Sequence, residues 1–131
     1  MKNRMKKVVA LGLVLVSMAG TNVYAASYSG YCLGALQTNK YTNTHCKKTS
    51  DNYIAHKVTA LSNTNAINTW GCDGNHNQIT QTYTNVGVNS SRKMKFTNGN
   101  YANVGQQVSV GMENATWTTS RAFASGQIHF H

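Results

Sequence analysis

Gln107-Val108-Ser109-Val110-Gly111-Met112 is the stretch that decides the fold class. Val108, Val110 and Met112 recur at every second position, and an extended strand lays that period along one face. The pattern spreads outward. Upstream, Met94 and Phe96 alternate with Lys93 and Lys95, giving a second strand one apolar and one basic face. Residues 78–88 are rich in Thr, Tyr, Ile and Val, which suit a pleated surface. Downstream, Ile128 and Phe130 alternate with Gln127, His129 and His131 in a strand entered through Gly126, where a bend or bulge is expected. Asn98-Gly99, Asp73-Gly74 and Gly71 mark tight turns, and no proline interrupts the chain. Residues 52–62 fit a helix stripe (Ile54, Val58, Leu61) or a strand face (Ile54, Val58, Ala60), and their β-branched content favours the strand. Residues 38–51 read as a polar loop. Two similar fragments, Tyr83-Thr84-Asn85-Val86-Gly87 and Tyr101-Ala102-Asn103-Val104-Gly105, suit two similar strand-to-turn junctions. The sum predicts an all-β chain: a small antiparallel β-sandwich or barrel of about five to seven short strands.

The first residues carry an address. Lys2, Arg4, Lys6 and Lys7 precede the apolar run from Val8 to Val16, and Val23-Tyr24-Ala25 offers a small residue for cleavage. A basic segment, a short apolar run and a small-residue site together predict a cleaved secretory signal over residues 1–25. The run falls short of the roughly 20 apolar residues that span a bilayer. Residues 26–131 are therefore expected to be one secreted, extracellular domain without a stable membrane anchor.

Within those residues eight basic side chains face three acidic ones (Asp51, Asp73, Glu113), a net charge of +5. That balance favours anionic partners, namely cell-wall polymers or acidic lipid surfaces, whereas nucleic acid is not expected outside the cell. Lys47-Lys48 and Arg92-Lys93-Lys95 are the basic clusters; the first reads as solvated surface. The expected core comprises Ile54, Val58, Leu61, Ile67, Trp70, Ile79, Val86, Val88, Met94, Phe96, Val108, Val110, Met112, Trp117, Phe123, Ile128 and Phe130.

The three cysteines, Cys32, Cys46 and Cys72, predict one disulfide with one thiol left over outside the cell, with all three pairings open. His129-Phe130-His131 sets two imidazoles on one strand face, about 7 Å apart. With His76, Asp73 or Cys72 from the turn at residues 70–76, they form a candidate metal site. Catalytic patterns are incomplete. The three acids each stand alone among neutral residues, no Gly-x-Ser-x-Gly elbow is present, and Cys32 lacks the helix start that favours a thiolate. The expectation is a non-enzymatic protein with no cofactor. Tyr28, Tyr31, Tyr41, Tyr53, Tyr83 and Tyr101, with Trp70 and Trp117, are more aromatic surface than a few strands bury, and such rings stack on sugars.

The stretch Val104-Gly-Gln-Gln-Val-Ser-Val-Gly-Met-Glu-Asn114, followed by Ala124-Ser125-Gly126 before a closing strand, resembles small secreted proteins of unknown function from Gram-positive bacteria. It is distantly similar to lactococcin-type bacteriocins, which are small, basic, exported β-sandwiches. Gly126-Gln127-Ile128 stands where those bacteriocins close with Gly-x-Trp, and the resemblance assigns no site residue. Two functional expectations follow. The first is a secreted interaction module that contacts anionic or glycan-bearing envelope surfaces through Arg92, Lys93 and Lys95 with Tyr83 and Tyr101. The second is a bacteriocin-like toxin acting on the envelope of competing bacteria.

Overall fold

The computed structural model describes residues 25–130. The leader reading falls on residues 1–24, outside the described residues, and so does His131. Nine antiparallel strands form two facing sheets: β1 (Ala25–Leu33), β2 (Lys40–Tyr41), β3 (His45–Cys46), β4 (Tyr53–Ser62), β5 (Ile67–Asp73), β6 (Tyr83–Val86), β7 (Ser91–Lys95), β8 (Gln107–Asn114) and β9 (Ala122–His129). The first sheet runs β1-β9-β4-β7; the second runs β2-β8-β5-β6, with β3 also on β8. The sandwich reading holds, and neither sheet closes into a barrel. The strand count exceeds the expected five to seven because β2 and β3 are two residues each, too short for a periodic signal, and lie in the stretch read as loop. Residues 53–62 are strand, as their β-branched content favoured. The second of the two similar fragments begins inside a 3₁₀ turn (Gly99–Ala102), whose amide at Asn100 is capped by Asn98.

Alternation decides what lies between the sheets. Ile54, Val58, Met94 and Ile128 from one sheet meet Ile67, Val108, Val110 and Met112 from the other, all essentially without exposure. Leu33, Tyr28, Ala122 and Ala124 join them. Of the expected core, Val88, Trp117 and Phe123 are instead exposed and Leu61 is only half-buried. Val88 and Trp117 sit in connections, and Phe123 is on the outward parity of β9 beside Cys32 and Ser62.

The core is not purely apolar. His56, 1% exposed, projects inward from β4. Its Nε2 lies 2.7 Å from the Tyr28 hydroxyl of β1, and its Nδ1 lies 2.9 Å from Thr69 Oγ1 on the opposite sheet. Thr69 donates its single hydroxyl proton to the Gly111 carbonyl at 3.0 Å. Counting donors then assigns the rest: His56 Nδ1–H donates to Thr69, and Tyr28 O–H donates to Nε2. The result is a directed chain, Tyr28 to His56 to Thr69 to Gly111, crossing the sandwich. Burial holds the His56 imidazole neutral, with its pKa pushed down to about 4, and pushes the Tyr28 phenol well above its usual range.

One glycine makes room for this arrangement. Tyr28 and Val58 both lie opposite Gly126, so β9 separates Tyr28 from His56. A Cβ at Gly126 would sit 2.6 Å from the Tyr28 hydroxyl and against the Lys57 carbonyl. Only a bare backbone lets the phenol ring cross β9 to its histidine. β4 accommodates the crossing with a register shift between Val58 and Ala60, the irregularity expected near Gly126. On the outside of the second sheet, Trp70 of β5 lies across Gly111 in the same way.

Two outcomes are expected. In the unfolded chain His56 protonates near pH 6.5 but in the fold only near pH 4, so its contribution is complete above 6.5. Stability then falls as pH drops from 6.5 towards 4 and this loss levels off below 4, at about 3 kcal/mol in total. Urea unfolding across pH 4 to 7 reads this; a flat profile over that window contradicts a buried neutral His56. Gly126→Ala is expected to destabilise by about 2 kcal/mol through overpacking and a displaced Tyr28, measured by the same unfolding at pH 7.

Candidate binding surface

The outward face of the first sheet gathers the cations. Lys93 and Lys95 project from β7, with Met94 inward between them, as their alternation predicted. Their partners on β4 are Ala55 and Tyr53, and two residues further along, Lys57 stands opposite Ser91 and Gln127. Lys57, Lys93 and Lys95 therefore share one face. Lys93 Nζ stands 5.2 Å from the centroid of the Tyr53 ring. Among the described residues no strand of this sheet contains an Asp or Glu: Asp73 and Glu113 are on the second sheet, and Asp51 precedes β4. The pleat has separated the charges, leaving one sheet basic and acid-free.

Arg92 does not join its neighbours. It has the parity of Met94, stands opposite His56, and donates to the Ser91 carbonyl at 3.0 Å. Tyr83 and Tyr101 are packed rather than displayed. Tyr83 is half-buried on edge strand β6 and its hydroxyl accepts from the Lys95 amide at 3.3 Å, joining the sheets at that edge. Tyr101 leans against Phe96, with ring centroids 6.3 Å apart. The sequence signal missed Lys57, which sits 35 positions before Arg92 and meets Lys93 and Lys95 only through the β4–β7 pairing. Lys47, read as solvated surface, is fully buried over the Phe96 ring; burial lowers its pKa while Asp51 opposes that shift.

A small cleft opens at the β1–β2 edge between the sheets, lined by Tyr28, Tyr31, Thr42, Asn43, His45 and Phe130 among others and holding about 40 Å³. Its rings are already engaged: His45 stacks on Phe130 at 4.4 Å, and Tyr28 packs on Tyr31 at 4.9 Å. The space suits a water or two rather than a sugar ring.

Of the residues read as metal ligands, His131 lies outside the described residues, and the described His129 and His76 do not come together. His129 takes the outward parity of β9 opposite Ala25 and Ala55, whereas His76 stacks at 4.2 Å on Tyr41 of the second sheet. Among the described residues no three His, Cys, Asp or Glu side chains group as metal ligands. Asp73 instead closes its own turn. Burial raises its pKa, but bonds from the Asn77 side chain and the Asn77 and Asn75 amides outweigh that and hold it low.

The three cysteines are free thiols, where the sequence reading paired two of them. Cys46 stands opposite Gln107 and Cys72 opposite Ser109, on the two flanks of β8. Two strand spacings, about 10 Å, exceed the roughly 7 Å Cα limit for a disulfide. Cys32 lies on the other sheet, near the far end from Cys46. Cys72 is fully buried and its pKa is pushed up to about 11, chiefly by burial.

No family model matches the chain, and no curated protein matches it in sequence. Among solved structures, the crystal structure of PirA aligns with a TM-score of 0.42 over 82% of this chain and 94% of that chain, at 11% sequence identity. At that distance nothing about chemistry or partners is carried across. Among the described residues no helix is long and apolar enough to cross a membrane.

Thiol reactivity tests the cysteine arrangement. Exposed Cys46 is expected to react first with an aromatic disulfide reagent, and Cys72 only on unfolding. A native protein with fewer than three titratable thiols after denaturation contradicts it.

Proposed function

We propose that this protein is a non-enzymatic binding module for anionic polymers of the bacterial cell envelope, engaged through Lys57, Lys93 and Lys95 on the outer face of the first sheet. The observation that supports this reading is the acid-free, three-lysine face with Tyr53 beneath Lys93. Lysines on a flat pleated surface act as point charges, which suits a flexible polyanion better than one rigid small ligand. Tyr53 adds a ring against which a sugar of such a polymer can lie. The face replaces the expected set: Lys57 takes the place of Arg92, and Tyr53 that of Tyr83 and Tyr101.

The second reading, a bacteriocin-like toxin acting on competing bacteria, is favoured by exposed Trp117 and Leu36, apolar groups that a simple polymer binder does not need on its surface. Growth inhibition of Gram-positive strains by residues 26–131 separates the two.

Binding of residues 26–131 to purified Gram-positive walls across a salt series tests the first reading. Retention is expected to fall as salt rises, because exposed charges are screened. A lysine near an anionic surface contributes about 1 kcal/mol, so Lys93→Glu with Lys95→Glu is expected to weaken retention by more than about tenfold. Arg92→Glu, on the other parity, is expected to weaken it less. Salt-independent retention, or a double variant that binds like the parent, rejects the reading.

A further inference from the structure

A row of polar side chains crosses the outer face of the first sheet from edge to edge. Register sets it: Ser27 of β1 lies opposite Gln127 of β9, Gln127 opposite Lys57 of β4, and Lys57 opposite Ser91 of β7. Residues directly opposite in an antiparallel pair share a face. His56 and Ile128, the neighbouring pair, point between the sheets, so these four point away from the core. Ser27, Gln127 and Ser91 are exposed and Lys57 is half-buried. Three strand spacings separate the ends of the row, about 15 Å.

The next outward row places His129 opposite Ala55 and Ala55 opposite Lys93, and beyond it Tyr53 stands opposite Lys95. Ala55 carries only a methyl, with longer side chains on every side: Lys57 and Tyr53 along β4, His129 and Lys93 across it. The face therefore dips at Ala55, forming a shallow trough between the polar row and the Tyr53 ring. Its chemistry is divided. The cations stand on β4 and β7, whereas β1 and β9 contain no Lys, Arg, Asp or Glu and contribute Ser27 and Gln127 to the row.

We propose that an extended acidic glycan lies across the strands in this trough, with its acidic groups on Lys57, Lys93 and Lys95 and its ring hydroxyls on Gln127 and Ser27. This inference rests on the lysine-face reading and narrows its ligand to sugar polymers. A polyanion without hydroxyls engages cations alone. A sugar acid engages three kinds of group, and the trough brings all three together. The lysines meet its charge, and the Tyr53 ring offers a flat surface to its apolar ring face. Gln127 both donates and accepts, as a sugar hydroxyl does, and the Ser27 hydroxyl does the same. These neutral groups stand in register with Lys57, so one chain laid across the strands reaches the charged and the neutral half together.

Affinities of residues 26–131 for alginate, a polyuronate, and for polyacrylate, a carboxylated chain without hydroxyls, test it at a single salt concentration. Gln127→Ala with Ser27→Ala is expected to weaken alginate binding about tenfold, the loss of two exposed hydrogen bonds, and polyacrylate binding far less. Ala55→Leu keeps every lysine and hydrogen-bonding group but fills the trough, and is expected to weaken alginate by a similar factor. Urea unfolding midpoints close to the parent's show that each variant is folded. Gln127→Ala with Ser27→Ala weakening both polymers alike, or neither, overturns the inference, as does a parent that binds polyacrylate but not alginate. In those cases salt-sensitive, lysine-dependent wall retention leaves the polymer reading standing. Lys93→Glu with Lys95→Glu is expected to weaken both polymers. If that variant binds both as the parent does, or if the parent binds neither, the lysine face is rejected and this inference with it.

Discussion

The hydrogen-bond chain from Tyr28 through His56 and Thr69 to the Gly111 carbonyl is the constraint on which the sandwich depends. Apolar side chains between two sheets tolerate small shifts of one sheet over the other. A directed chain of three side chains does not, because each buried donor or acceptor that loses its partner costs about 1–3 kcal/mol. The chain therefore fixes where the sheets sit relative to each other, as well as holding them together. It also requires glycine at 126, since the Tyr28 ring must cross β9, and it fixes the histidine tautomer.

Apolar side chains and this hydrogen-bond chain pack between the two sheets. A cleft at the β1–β2 edge is small and its rings are paired with each other. On the outside, the strand order and the loops distribute the side-chain chemistry unevenly. The first sheet carries lysines and no acid; one end carries exposed Trp117 and Leu36 on two loops bonded to each other.

The sequence made the β class legible because its signal is local: Val108, Val110 and Met112 alternate within one strand, and Met94 alternates with Lys93 and Lys95 in another. What depends on pairing was not legible. Lys57 meets Lys93 and Lys95 only because β4 pairs with β7, and Arg92 leaves that set because its parity turns it inward. The cysteines looked like a disulfide by count, yet β8 stands between two of them. Trp117 and Phe123 looked like core by hydrophobicity, and a loop position and an outward parity expose them. His56 carried no signal of this structural role. A histidine among Ile54, Ala55, Lys57 and Val58 is ordinary until Tyr28 and Thr69 arrive on either side of it.

The sequence by itself determined the β class and the apolar face of the longer strands, because a periodicity of two acts within a few positions of the chain; it did not show the two-residue strands β2 and β3, and Gly71, read as a turn, lies inside β5. Only the tertiary structure decided which faces are neighbours. Strand order and register are long-range, and they place Tyr28 against His56, group three lysines from distant segments, and bring four loops to one end. Side chains far apart along the chain acquire a joint chemistry only when the sheets bring them within bonding distance, and that distance is a property of the packed fold.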